Sequence, residues 1–159
     1  MPKKEVLPVV PMRVLRIRST PSLSGRSELT YQVGCNTEGE IHFRVVKNTG
    51  SGQFNSDWVA LLLIETLLSE HPATKPMTSG ALRSVFRHRS SNSPAFLLAA
   101  LKAESLVLPG ETKDSGYHLG DFLAFRQAMS ALIAIDTNLN VTVTVSPEVT
   151  KRKRSKENA

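Results

Sequence analysis

Cysteine is nearly absent: Cys35 is the only one in 159 residues, so no disulfide can close within the chain, and a reducing compartment is the expectation. Long apolar runs are also missing. The longest, Trp58 to Ile64, falls far short of the about 20 residues a membrane-crossing helix needs. Val6 to Met12 is short and interrupted by Pro8 and Pro11, which makes a poor secretory signal. Together these lacks predict a cytoplasmic protein with no membrane partner. The histidines are few and scattered. His42, His71, His88 and His118 have no paired spacing of the kind a metal site uses, so no metal is expected. The glycine-bearing stretch Asn48 to Gly52 lacks the lysine and following Ser/Thr of a phosphate-binding loop, so it reads as a linker and implies no nucleotide. Cys35 has no identifiable base beside it, and Glu38 and Glu40 flank a turn. No catalytic residue, no cofactor and no enzyme are therefore expected.

What is present is a globular composition, 40% hydrophobic and 21% charged, long enough to bury a core without staples. The net charge is +6. Most of that excess sits in the tail, on Lys151, Arg152, Lys153, Arg154 and Lys156, while the body is nearly neutral. The expected fold class is α+β. A flexible arm (1–11) precedes an antiparallel strand layer (12–52), then a helical module with a β-hairpin (53–120), a supporting helix and strand (121–149), and a basic disordered tail (150–159).

Period-two alternation carries the strand layer. Met12 to Arg18 sets Leu15 and Ile17 against Val14 and Arg16. Leu29, Tyr31 and Val33 share one face of the next strand, and Ile41, Phe43 and Val45 share one face of the third. The turn-rich Asn36-Thr37-Glu38-Gly39 between the last two predicts an antiparallel hairpin. Helical signals begin at Ser56, read as an N-cap followed by Asp57, and the apolar series runs to Leu68. Thr78 or Ser79 caps a second helix containing Leu82 and Phe86. Ser93 caps a third, with Pro94 at its first position, running to about Glu104. Leu106 to Leu108 and Tyr117 to Leu119 read as short strands around a polar loop. A fourth helix, from about Asp121 to Ile135, carries the stripe Phe122, Phe125, Met129, Leu132 and Ile133. That stripe is spare once three helices fill the module, so it packs on the strand layer or on a second copy, and a homodimer is favoured. Val141, Val143 and Val145 form a final strand.

Three helices followed by a strand, a polar loop and a second strand resemble the winged-helix family of helix-turn-helix domains, over roughly residues 56–119. The match is closest along Phe96-Leu97-Leu98-Ala99-Ala100-Leu101-Lys102-Ala103-Glu104-Ser105-Leu106-Val107, with a wing ending Gly116-Tyr117-His118-Leu119. Ser105 stands where such domains commonly place glycine. The resemblance implies a third helix in the DNA major groove and a wing on the backbone. On that reading Asn92, Ser93 and Lys102 read bases, while Arg83, Arg87, His88, Arg89 and Lys113 hold phosphates. The tail residues Lys151, Arg152, Lys153 and Arg154 add salt-sensitive attraction. Ala95, Ala99 and Ala103, opposite the leucine face, cannot hydrogen-bond base edges. The favoured reading is a DNA-binding accessory protein or transcriptional regulator on double-stranded DNA. The alternative is an adaptor using the same fold to bind a protein through the alanine face.

Overall fold

The computed structural model describes residues 12–72, 74–86, 92–112 and 115–139. The expected arm, the final strand at Val141 to Val145 and the basic tail lie outside the described residues.

Strands β1 (Arg13–Pro21), β2 (Glu28–Cys35), β3 (Ile41–Asn48) and β4 (Val59–Ala60) form an antiparallel sheet in sequence order. The alternation read in β2 and β3 holds: Leu29, Tyr31, Val33, Phe43 and Val45 are buried on one face, and Cys35 extends the same row. The β2–β3 turn closes as expected. The Asn36 side-chain carbonyl accepts from the backbone N–H groups of Glu38 and Glu40, each at 2.9 Å, and Gly39 takes φ +80°.

β1 departs from simple alternation. A bulge between Val14 and Arg16 inserts Leu15 into the register. Val14 and Leu15 are therefore both buried, and Ile17, expected beside Leu15 in the core, pairs with Gln32 and is 44% exposed. The same parity change turns Arg16 and Arg18 to the face carrying Val33 and Tyr31, their register partners.

Helix α1 spans Leu61–Ser69, not the stretch from Ser56. Val59 and Ala60 pair with Phe43 and His42 first, so the helix starts only once that two-residue strand ends. A 3₁₀ helix (Ser79–Phe86) follows, then α2 (Ser93–Ala103), the hairpin β5 (Val107–Pro109) and β6 (Tyr117–Leu119), and α3 (Phe122–Ala134). Asn92, not Ser93, occupies the cap position of α2, with Pro94 in the first turn. Asp121 caps α3, its carboxylate accepting from Ala124 N–H at 2.8 Å.

The stripe on α3 is used within the chain. Phe122, Phe125 and Met129 are buried, and Phe125 stacks on Phe43 of the sheet at 5.6 Å, with Phe43 stacked in turn on Tyr31 at 6.2 Å. Arg13 then ties β1 to the end of α3, donating to the carbonyls of Thr137 (3.2 Å) and Ile133 (3.0 Å), where a cation suits the negative helix terminus. After α3 the chain returns to the free edge of β1. Leu139 N–H donates to Val14 O at 2.7 Å, and Asn138 accepts from Val14 N–H. One buried cluster thus runs through strands, helices and hairpin together.

Phe125 links α3 to the sheet centre, so Phe125→Ala should destabilise the fold by about 3–5 kcal/mol, the range for a truncated core aromatic. Urea unfolding checks this. A loss below about 1 kcal/mol would show that α3 is dispensable to the sheet.

Candidate nucleic-acid interface

The helix expected to enter a DNA groove is the most enclosed helix of the described chain. α2 meets the 3₁₀ helix, β1, β3 and β5. Leu97, Leu98, Ala99, Ala100 and Leu101 are all buried. Of the three alanines opposite the leucines, Ala99 is a packing residue that lets neighbours approach closely, whereas Ala95 is half-buried and Ala103 is exposed. Ala99, at 2% exposed, is closed to a protein partner as well.

The start of α2 is covered too. Ser93 is 2% exposed, and its hydroxyl accepts from Asn55 N–H at 2.7 Å, so the expected base contact from Ser93 is corrected to an internal one. Asn92 donates its side-chain amide to Gln53 O at 2.9 Å. Phe54 packs on Phe96 at 6.1 Å, completing the cover supplied by the segment before β4. Of the expected phosphate contacts, Arg83 on the 3₁₀ helix is exposed, as is Lys102 on α2, expected to read bases. Arg87, His88, Arg89, Lys113 and the tail residues Lys151, Arg152, Lys153 and Arg154 lie outside the described residues.

The other end of α2 carries a charge cluster that sequence reading did not single out. The Glu104 side chain is 2% exposed and is gripped by Arg16, with Arg18 at 3.7 Å. Tyr31 donates its hydroxyl to the other Glu104 oxygen at 2.5 Å. No local signal announces this cluster, because its members come from three separate elements and the β1 bulge sets the parity. Beyond Glu104 the helix closes by a glycine-type stop without glycine. Ser105 takes φ +63°, Leu106 N–H reaches Leu101 O at 2.9 Å, and Ser105 N–H reaches Lys102 O at 3.0 Å.

The hairpin that follows is held against the rest of the chain at two glycines. At Gly120 a Cβ would lie 1.9 Å from Ser105 O. At Gly116, with φ +72°, a Cβ would meet the Met77 backbone at 2.6 Å. Met77, between α1 and the 3₁₀ helix, bridges to the hairpin, and Tyr117 N–H donates to Met77 O at 2.9 Å. On the opposite face of the sheet, Arg44 lies over the Trp58 ring at 4.3 Å and donates to Gln32 at 3.0 Å. Among the described residues no group of three or more His, Cys, Asp or Glu could hold a metal ion, and no helix is long and apolar enough to cross a membrane.

Comparison of the chain with family models, curated proteins and solved structures returned no match, so no family is shown.

Burial pushes the Tyr31 hydroxyl above its ordinary value of 10.0, and the hydrogen bond to Glu104 pushes it further. Burial likewise raises the Cys35 thiol above 9.0. Both groups keep their protons in the folded chain where the unfolded chain loses them. Their contribution is complete below those ordinary values and is lost as pH rises beyond them. Urea midpoints should therefore fall from about pH 9 upward, and in a Cys35→Ala background Tyr31→Phe should flatten the remaining slope above about pH 10. An unchanged slope would remove Tyr31 as its source.

Proposed function

We propose that the protein is a non-enzymatic protein-interaction module with a winged-helix-like core, docking an apolar segment of its partner across the seam between α1 and α3. The observation that carries this reading is a pair of large apolar side chains left in solvent beside an ion pair. Leu62 on α1 is 69% exposed and Leu123 on α3 is 66% exposed. Each lies one helical turn before a member of the Glu65–Arg126 ion pair, which joins the two helices at 2.7 Å. Leu62 also lines a groove of about 360 Å³ that takes in Glu40, Ile41, Leu61, Arg126 and Ser130. Single exposed leucines are ordinary on protein surfaces. Two of them on helices joined by an ion pair, one of them lining a groove, support docking.

A photoreactive amino acid installed at position 62 should crosslink to one discrete protein in cells, whereas the same group at Leu23, an exposed residue of the β1–β2 loop, should not. The adduct should disappear in Leu123→Asp, and purified partner should bind wild type and not that variant. The same ladder from both positions, or an adduct indifferent to Leu123→Asp, would count against the seam.

The second reading is contact with double-stranded DNA through charge alone, in an accessory or regulatory role. It is supported by the +6 net charge and by exposed Arg83 and Lys102. With Ser93 internal, such binding rests on phosphates and not on base edges. Affinity for a random-sequence duplex should then fall steeply between about 50 and 200 mM salt, and Arg87→Ala with Arg89→Ala should flatten that dependence without changing sequence preference. A mobility-shift titration giving no complex at low salt, or a slope indifferent to the two substitutions, rejects this route.

A further inference from the structure

The seam and the basic residues leave a cleft unexplained. It has a volume of about 510 Å³, within the range of small-molecule sites, and lies between the end of α1 with its following loop and the β5–β6 hairpin. We propose that this cleft binds a small organic anion, a phosphate or carboxylate group carried on an apolar body.

The chemistry of the walls sets that class. Lys75, His71 and His118 line the cleft, and none of the described lining residues is acidic. Tyr117 and Ser115 add hydroxyls, while Leu68, Pro76 and Leu119 supply apolar surface. A ligand with one anionic end and a compact apolar body matches both kinds of wall. A neutral apolar molecule leaves Lys75 unused, and a bare inorganic anion leaves the apolar wall in water.

The walls are also held in place. His71 Nε2 faces the carbonyls of Lys75 (3.2 Å) and Pro76 (3.1 Å), which ties the ring to the loop it starts. Lys75 N–H closes that loop on Pro72 O at 3.2 Å. The floor is the Met77–Tyr117 hydrogen bond, and Gly116 is the residue whose lack of a side chain lets the hairpin come that close. Binding here is independent of the α1–α3 seam, since none of Leu62, Leu123 and Arg126 lines the cleft.

The test is an NMR titration of the full chain with phenyl phosphate, inorganic phosphate and benzyl alcohol, read at the His71 and His118 imidazoles and the Tyr117 amide. Phenyl phosphate should give saturable shifts at all three positions, with inorganic phosphate and benzyl alcohol each at least about tenfold weaker. Lys75→Met, which keeps the aliphatic stem, should weaken phenyl phosphate about tenfold, and Lys75→Arg should retain it. His118→Gln, on the facing wall, should weaken it independently, and Lys47→Met on β3 should leave it unchanged. Shifts that fail to saturate would overturn the proposal. So would equal affinity for inorganic phosphate or benzyl alcohol, or wild-type affinity in both Lys75→Met and His118→Gln with unchanged thermal midpoints.

Discussion

A carboxylate withdrawn from water has to be met by donors, and Glu104 is met by three side chains from two strands. Its oxygens take Arg16 and the Tyr31 hydroxyl, with Arg18 close by. Because Glu104 ends α2 while its partners sit on β1 and β2, the cluster fixes where the helix lies on the sheet and which way it runs. Replacing Glu104 by an apolar residue would leave the Tyr31 hydroxyl and two guanidinium groups competing for solvent at the sheet margin. Removing an arginine would leave a buried acid short of a partner, the more damaging change. The β1 bulge belongs to the same device. Were Leu15 to take its own place in the register opposite Val33, Arg16 and Arg18 would fall opposite Gln32 and Thr30 and face away from Tyr31.

Once α2 is fixed in this way, the hairpin follows from backbone geometry. The helix stops with Ser105 in the left-handed region, a conformation costing a non-glycine residue about 1 kcal/mol, and the cost is offset by the two closing hydrogen bonds and by burial of Leu106. Gly120 then brings the returning strand onto the Ser105 carbonyl, its N–H donating to Leu106 O at 2.7 Å. Gly116 sets the hairpin against Met77. The order helix, bridge residue, 3₁₀ helix, helix and hairpin is therefore held by particular local constraints.

The parts legible in the sequence are those where one side of an element faces the core and the other faces water. β2, β3 and α3 have that property, and Leu29, Tyr31, Phe43 and Phe125 were readable from period alone. The hairpin around residues 110–116 was readable from its turn residues. Elements buried on more than one side were not. The alanines of α2 look the same whether a helix face is open or packed against a close neighbour, because periodicity reports which residues share a face and not what lies opposite. Nor can one sequence reveal a bulge whose effect is to exchange Ile17 for Arg16 on the inner face. Val59 and Ala60 were missed because two residues are too short a strand to show a period. At the candidate interface, the start of α2 was read one residue late, with Ser93 as the cap where Asn92 takes that position. Their side chains serve the segment Gln53 to Asn55, a contact 38 or 39 residues away that no local pattern encodes.

That long-range contact also decides how a partner can be reached. To present the start of α2 to a DNA groove, the chain would have to lift Phe54 from Phe96 and break the bonds from Asn55 to Ser93 and from Asn92 to Gln53. Each bond contributes about 1 kcal/mol net, and exposing the two rings adds more, so opening this cover is comparable to a useful share of the stability of a domain this size. Binding energy spent on opening is lost to affinity. An interaction at the α1–α3 seam meets no such barrier, because Leu62 and Leu123 are already in water. Surfaces that need no rearrangement bind with the smaller cost, and on this molecule that condition is met by the seam and not by the helix whose sequence first suggested a function.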